Sequence, residues 1–202
     1  MNIAKHMQHT GIAIAVTGAA TLGSFAATTA IVPSSSAYAA STSAATSQQQ
    51  SGATLLNTFY KPALKGHFPQ ANGNPVDKLI VGDTTRASAI AIYGKPTTSR
   101  TSASGYDVYQ AEMGTPGYAL SYTSSNVLKE IRYLGTTVER KQTIGSITMS
   151  VLKKNWYAPS STTTITSGGT KQTKLTYNRG DYKLEFIYNS PTDLDHINLL
   201  QK

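Results

Sequence analysis

Residues 180–188, GDYKLEFIY, begin with a turn-forming pair and continue as a segment in which apolar and polar side chains alternate. An earlier segment, residues 117–122 with the sequence GYALSY, shows the same alternation, and Tyr118 there corresponds to Tyr182. Alternation with a period of two is typical of a strand that buries one face. The two segments therefore predict two related strands in different parts of the chain.

The resemblance between the two parts of the chain continues on both sides of these strands. A glycine, a threonine and a proline recur with the same spacing, and a segment of the Leu-x-x-Ile type follows near the end of each part. The correspondences are Gly82 with Gly145, Thr85 with Thr148, Pro96 with Pro159, and residues 128–131 with residues 194–197. Such repetition predicts a tandem duplication, with repeat one at about 79–135 and repeat two at about 142–200.

Each repeat is predicted to form one helix and three strands. Thr85 and Thr148 are suitable N-caps, because a threonine hydroxyl accepts a hydrogen bond from an amide of the first helical turn. The connections between the strands are short, which requires antiparallel pairing. The strands are predicted at about 105–112, 118–123 and 127–134 in repeat one, and at about 171–177, 182–188 and 194–200 in repeat two.

The remaining segments complete the predicted fold. The Ser/Thr-rich segment around Gly168 and Gly169 is predicted as a loop, and the apolar residues between Leu55 and Leu64 predict one more amphipathic helix. The fold class is therefore α+β: a tandem duplication of a helix plus three-stranded antiparallel sheet unit, preceded by one N-terminal helix.

The start of the chain predicts export. Lys5 is followed by an uncharged run over residues 11–32, and residues 37–39, Ala-Tyr-Ala, match a signal peptidase site. We expect residues 1–39 to be a signal peptide, residues 40–53 a flexible Ser/Thr/Ala/Gln linker, and residues 54–202 the folded domain. The mature form would then have no transmembrane span. The alternative is an uncleaved membrane anchor, since the uncharged run is long enough to cross a bilayer.

Charge and composition limit the chemistry of the mature protein. Cleavage would remove Lys5 alone among 18 basic and 10 acidic residues, so the net charge would fall from +8 to +7. A basic exported protein is attracted to anionic cell-wall polymers. The chain has no cysteine, which excludes disulfides and a thiol nucleophile, and the spacing of its histidines predicts no metal site. No cofactor and no nucleic-acid partner are expected.

Strand alternation predicts a candidate binding surface. Tyr118, Leu120 and Tyr122 share one face of their strand and are predicted to pack in the core. Alternation places a mixed-polar set on the opposite face of the sheet, namely Tyr109, Glu130, Arg132, Lys183, Glu185 and His196. Tyrosine and arginine are common anchors of protein interfaces, so this face is a candidate protein-binding surface. The alternative is an ordinary solvated sheet face.

Several segments together resemble a known family. They are residues 55–57 (LLN), 81–85 (VGDTT), 93–96 (YGKP), 130–132 (EIR) and 182–186 (YKLEF). In this order they resemble the YjgB-like family of exported bacterial proteins, for which no activity is established. The repeat plan is similar to that of the β-lactamase inhibitory protein and the SmpA/OmlA fold, whose members bind other proteins. This similarity of fold implies function only by analogy.

The expected function is that of a secreted or cell-wall-associated, non-catalytic binding module for an extracellular or envelope protein. One alternative is retention on anionic cell-wall polymer through the net positive charge. A third hypothesis is a hydrolase that uses His196 with a nearby acid, because catalytic groups far apart in sequence can meet in a fold.

Overall fold

The computed structural model describes residues 51–71, 74–112, 114–136 and 144–202. The predicted signal peptide and most of the predicted linker lie outside these ranges. Helix α1 covers residues 51–63. Residues 51–53, which were assigned to the linker, are therefore helical, and the predicted boundary between linker and domain was placed too late.

Two further α-helices and seven strands follow. The helices are α2 (Arg86–Tyr93) and α3 (Met149–Trp156). The strands are β1 (Asp107–Tyr109), β2 (Gly117–Tyr122), β3 (Leu128–Gly135), β4 (Ser161–Ser167), β5 (Thr170–Arg179), β6 (Tyr182–Ser190) and β7 (Asp193–Gln201). Short 3₁₀ helices cover Pro75–Lys78 and Ile144–Ser146. The N-caps are confirmed, because the hydroxyl of Thr85 accepts from the amide of Ser88 and that of Thr148 from the amide of Val151.

All seven strands belong to one antiparallel sheet, in the order β1-β2-β3-β7-β6-β5-β4. The predicted three-stranded sheets are therefore not separate units. Strands β3 and β7 join the two halves, with Arg132 opposite Asn198. Each of these strands would otherwise present unpaired backbone groups at the edge of a smaller sheet, so their pairing satisfies both edges.

Strand β4 lies where the sequence predicted a loop. Its residues, STTTITS, are rich in β-branched side chains but are mostly exposed and show no apolar alternation. Gly168 and Gly169 follow with φ angles of 55° and 80°, which suit the tight hairpin between β4 and β5. The second half of the sheet therefore has four strands rather than the three predicted.

The core lies on one face of the sheet. Helix α1 contributes Leu56 and Phe59, and helix α3 contributes Leu152 and Trp156. The predicted core positions Tyr118, Leu120 and Tyr122 are confirmed, since all three are buried in this cluster. Within the described ranges no helix is long and apolar enough to cross a membrane.

Candidate functional site

Five of the six predicted site residues lie on the sheet face opposite the core. The pairings of Arg132 with Asn198, Asn198 with Glu185, and Glu185 with Thr176 form one row across four strands. Glu130, Lys183 and His196 lie two residues from members of this row on the same strands and therefore share its face. We call this surface the polar face; it comprises Glu130, Arg132, Lys174, Thr176, Lys183, Glu185, His196 and Asn198.

The sixth predicted site residue, Tyr109, was placed on the wrong face. It pairs with Tyr118 and belongs to the core, with only 6% of its surface exposed. Its ring lies 4.2 Å from that of Tyr93, its hydroxyl donates to the carbonyl of Gly94 at 3.0 Å, and burial raises its pKa to about 12. The sequence predicted a strand over about 105–112, whereas β1 covers only Asp107–Tyr109. Because successive side chains of a strand point to opposite faces, an error of one residue in the alternation places a side chain on the wrong face.

Arg132 is the most highly connected side chain of the polar face. Its Nη2 donates to Glu130 Oε1 at 3.0 Å and to the Tyr106 hydroxyl at 2.8 Å, and its Nε donates to Asn198 Oδ1 at 3.2 Å. The guanidinium carbon also lies 4.5 Å from the centroid of the Tyr106 ring. Tyr106, which the sequence did not single out, donates its hydroxyl to Glu130 Oε2 at 3.1 Å. These contacts hold the arginine in one orientation.

Tyr106 differs from an ordinary surface tyrosine in its acidity. Burial raises the pKa of its hydroxyl, and the nearby negative charge of Glu130 raises it further, while the positive charge of Arg132 opposes the shift. The phenol therefore stays protonated well beyond neutral pH and can continue to donate to Glu130. The cluster of Glu130, Arg132 and Tyr106 thus keeps its hydrogen-bond pattern over the physiological pH range.

A second charged group occupies the other half of the polar face. Glu185 Oε1 lies 3.4 Å from Lys174 Nζ and 3.3 Å from Lys183 Nζ. The carboxylate is buried, whereas both lysine side chains are partly exposed. Two ammonium groups share one carboxylate, so this group carries one net positive charge toward solvent.

His196 has an acidic partner. Its Nδ1 lies 2.6 Å from Asp195 Oδ2. The amide of Asn189 donates to both Asp193 and Asp195. Within the part of the chain that the structure describes, no hydroxyl is hydrogen-bonded to the His196 ring, and no cluster of three His, Asp or Glu residues could hold a metal ion. Among the described residues a base and an acid are therefore in contact, and no hydroxyl nucleophile is hydrogen-bonded to the base.

The sequence missed a second surface, at the end of β5 on the core side of the sheet. The guanidinium carbon of Arg179 lies 4.2 Å from the ring centroid of Trp156, 4.7 Å from that of Tyr60 and 5.5 Å from that of Tyr177. Leu64, one helical turn after Tyr60, lies close to Gly180. We call this surface the arginine–aromatic patch; it comprises Tyr60, Leu64, Trp156, Tyr157 and Arg179.

One sequence signal could have indicated this patch. The internal comparison aligns Tyr157 with Gly94, directly before corresponding x-Pro segments. The structure gives both residues a positive φ, 60° for Tyr157 and 93° for Gly94. A tyrosine at a position whose counterpart is glycine points to a requirement other than backbone conformation.

The fold and the sequence are similar to those of known proteins. A family model described as Domain of unknown function (DUF4309) matches residues 56–200. The chain is 34% identical over 154 residues to the uncharacterized protein YjgB of Bacillus subtilis (strain 168), covering 76% of this chain and 77% of that protein. The crystal structure of a DUF4309 family protein, YjgB from the same species, matches with a TM-score of 0.66 and 32% identity, over 76% of this chain and 99% of that one. The resemblance to the YjgB-like family is thereby confirmed.

Proposed function

The chain belongs to the DUF4309 family, a domain of unknown function, and we propose that it is a secreted or cell-wall-associated binding module for an extracellular or envelope protein. In this proposal the chain has no catalytic activity, and the polar face contacts the partner. Export is supported by the uncharged run over residues 11–32 and by the signal peptidase motif at residues 37–39.

The observation that carries the proposal is the fixed position of Arg132. A carboxylate, a hydroxyl, an amide and an aromatic ring hold its guanidinium at the same time. A side chain that is already ordered loses little conformational entropy when a partner binds. Arginine beside tyrosine is also a common combination among the residues that dominate protein interfaces. The polar face therefore offers a preordered anchor on a rigid sheet.

The second charged group supports a partner of complementary charge. Lys174 and Lys183 neutralise Glu185 and leave one positive charge, while their partly exposed ammonium groups remain accessible. A carboxylate of the partner could pair with either ammonium without displacing the contact to Glu185. Such charge complementarity favours association and fixes the orientation of a complex.

The hydrolase hypothesis receives less support from the geometry. The contact between His196 and Asp195 resembles the base and acid of a catalytic triad. A triad also requires a nucleophile within hydrogen-bond distance of the histidine, and the described residues provide no hydroxyl there. We therefore favour a structural or binding role for this pair.

A photo-crosslinking experiment tests the proposal. A photoreactive amino acid at position 183 should crosslink one defined extracellular or envelope protein at the cell surface, whereas the same group at position 171, an exposed lysine position, should not. The double substitution Lys174→Glu and Lys183→Glu should then weaken binding of that protein at least about tenfold, because it places three carboxylates side by side. The double substitution Lys95→Glu and Lys171→Glu, at two exposed lysines outside the polar face, makes a matched change of charge for comparison. Equal effects of the two variants would contradict the assignment of the polar face.

Retention on anionic cell-wall polymer is the second candidate, and the net charge of +7 expected for the mature form favours it. Attraction between exposed charges is screened over about 10 Å at 0.1 M salt. Retention of this kind should therefore fall steeply as salt is added, and Lys171→Glu should reduce it as much as Lys183→Glu does. Binding that depends on position 183 and weakly on salt would favour the protein partner.

We also propose that the two halves of the domain arose by duplication. Both helices begin with a threonine N-cap, and both are followed by a residue of positive φ. A tyrosine hydroxyl fixes that residue in each half: Tyr109 donates to the carbonyl of Gly94, and Tyr177 to the carbonyl of Tyr157. These shared details support a common origin more strongly than the order of helices and strands does.

A further inference from the structure

Arg179 is a half-buried cation without an anionic partner in the described ranges. Its Nη1 donates to the carbonyl of Asn178 at 2.7 Å, and its Nε is buried without a hydrogen bond. Burial lowers the pKa of the guanidinium, and of the surrounding groups only Tyr60 and Tyr177 act against this shift. Removing a charge from water is unfavourable unless an opposite charge compensates it. An anionic group bound next to Arg179 would provide that compensation.

Exposed apolar side chains lie on the segments that meet at this cation. Tyr60 is 46% exposed, Leu64 43% and Tyr157 81%. Within the described ranges only one further large apolar residue, Ile92, is exposed to a comparable extent. The exposed apolar surface of the domain is therefore concentrated beside Arg179. Concentration of apolar surface on a soluble domain is typical of an interaction site.

The backbone of Tyr157 gives independent support. Its φ of 60° and ψ of −151° lie in a region that is almost restricted to glycine. Gly94, at the end of α2, adopts a similar conformation with φ 93° and ψ −177°. A tyrosine that is four-fifths exposed packs too little to compensate this strain within the domain. The ring is therefore better explained by a contact outside the chain.

The charges around the patch indicate the nature of the partner. Four exposed lysines lie next to its residues along the chain: Lys61 and Lys65 on or just after α1, and Lys153 and Lys154 in α3. Asp181 is the acidic residue nearest in sequence to Arg179. A partner that fits this surface carries carboxylates around an apolar centre.

We infer that the arginine–aromatic patch is a docking site for an acidic segment of a partner protein. One carboxylate of the segment pairs with the guanidinium of Arg179, and neighbouring apolar side chains pack on Tyr60, Leu64 and Tyr157. A hydrophilic wall polymer would use the lysines but would gain little from Leu64, whereas the centres of protein interfaces are enriched in aromatic residues and arginine. This inference rests on the proposed role in protein binding, but it concerns a different surface, so the two can fail separately.

The fluorescence of Trp156 can be used to measure ligand binding at the arginine–aromatic patch. Trp156 is the one tryptophan of the chain and lies against Arg179, so its fluorescence should respond to a ligand at the patch. The probe is a short blocked peptide in which glutamate alternates with leucine. We expect a saturable change in emission, and about a tenfold weaker affinity for the same peptide with glutamine in place of glutamate.

Variants of Arg179 test the role of the guanidinium. Arg179→Gln and Arg179→Lys should each weaken peptide binding about tenfold, because glutamine lacks the charge and lysine lacks the planar fork. Calorimetry replaces fluorescence for these variants, since the substitution itself changes the surroundings of Trp156. Lys171→Gln removes an exposed positive charge elsewhere and should leave the affinity unchanged. A loss of equal size in Lys171→Gln would overturn the inference.

Tyr157→Gly provides a test that does not depend on Arg179. This substitution should weaken peptide binding about tenfold while raising the unfolding midpoint by about 3 °C, because glycine accepts the backbone conformation without strain. If Tyr157 had a purely structural role, its replacement would not weaken peptide binding and raise the unfolding midpoint at the same time. Unchanged affinity in Tyr157→Gly would overturn the inference.

A polyanion and a polar-face variant separate the remaining explanations. If poly(glycerol phosphate) binds with a dependence on Arg179 while the peptide does not bind, the patch recognises an anionic polymer and our inference of a protein partner is wrong. Lys183→Glu, on the polar face, should leave peptide binding unchanged if the two surfaces act separately. Loss of peptide binding in Lys183→Glu would contradict the placement of the site at the patch.

Discussion

The two helix ends of the domain share a backbone geometry and differ in what they present to solvent. In the first half, Tyr93 ends α2 and packs on Tyr109, whose hydroxyl holds the carbonyl of Gly94. In the second half, Trp156 ends α3 and packs on Tyr177, whose hydroxyl holds the carbonyl of Tyr157. The same construction therefore ends in a glycine in one half and in an exposed tyrosine in the other. At this position the two halves therefore differ in the side chain and share the positive φ of the backbone.

The two halves also differ in how the helix is tied to its sheet. In the first half, Arg86 of α2 makes two hydrogen bonds to Asp107 of the edge strand β1, at 2.7 and 3.0 Å. The backbone amide of Arg100 donates to the same carboxylate at 2.9 Å. In the second half, Trp156 instead packs edge-on against Tyr177 and Phe186, with centroids 5.6 Å apart in both cases. A polar contact thus anchors α2, and an aromatic cluster anchors α3.

The largest expected effect comes from removing the aromatic anchor. Trp156→Ala deletes a large buried side chain and should lower the free energy of unfolding by about 3–5 kcal/mol. Lys154→Ala, in the exposed part of the same helix, should change it by less than about 0.5 kcal/mol. Urea unfolding of the two variants measures both values. Similar losses in both would show that the orientation of α3 is wrong.

The polar anchor should have a smaller effect that depends on pH. Asp107→Asn leaves Arg86 without its anion and should lower the free energy of unfolding by about 2 kcal/mol at neutral pH, since Arg86 is partly exposed and water can solvate it. Burial by itself would raise the pKa of Asp107, but the hydrogen bonds from Arg86 and from the Arg100 amide outweigh it and hold the pKa below its usual value.

The sign of the pH dependence follows from this lowered pKa. The folded state binds the proton of Asp107 less readily than the unfolded state does, so the stabilisation is complete above the usual aspartate pKa of about 3.9. It is lost as the pH falls through the lower pKa of the folded state. Urea midpoints measured across this range should converge for Asp107→Asn and the unmodified chain at low pH. A constant difference between them would contradict the role of the ionised carboxylate.

A pair of hydroxyl deletions compares the two helix ends directly. Tyr109→Phe removes the hydrogen bond to Gly94 and should cost about 1 kcal/mol. Tyr177→Phe removes the equivalent bond to Tyr157 and should cost less, because the strained backbone of Tyr157 can then relax. Chemical denaturation at neutral pH gives both values. A larger loss in Tyr177→Phe would show that the conformation of Tyr157 is not strained.

The sequence predicted those features that depend on local patterns. The N-caps at Thr85 and Thr148 follow from hydroxyl chemistry, and the buried face of β2 follows from its alternation. Strand β4 was missed because its exposed threonines produce no apolar pattern. Tyr109 was misplaced because a short strand such as β1 gives alternation too few residues to fix its register.

The surfaces depend on contacts between segments that are distant in the sequence. The polar face was found in large part because alternation on each strand defines it, and the pairing of β3 with β7 brings its two halves together. The arginine–aromatic patch has no such local signature. It forms where α1, the end of α3 and the end of β5 meet around Arg179. In the sequence, the alignment of Tyr157 with Gly94 was the one feature that indicated this patch.

The last expected effect concerns these two residues and has opposite signs in the two halves. Tyr157→Gly should raise the free energy of unfolding by about 1 kcal/mol, because the relief of strain exceeds the entropic cost of adding a glycine. Gly94→Ala should lower it by about 1 kcal/mol through its positive φ alone, since no atom lies within 4 Å of the added Cβ. Thermal and urea unfolding of both variants and of their combination should show nearly additive changes, because within the described ranges no hydrogen bond joins the two sites. If Tyr157→Gly is instead destabilising, the ring contributes to the folded domain itself, and the difference between the halves is one of packing rather than of binding.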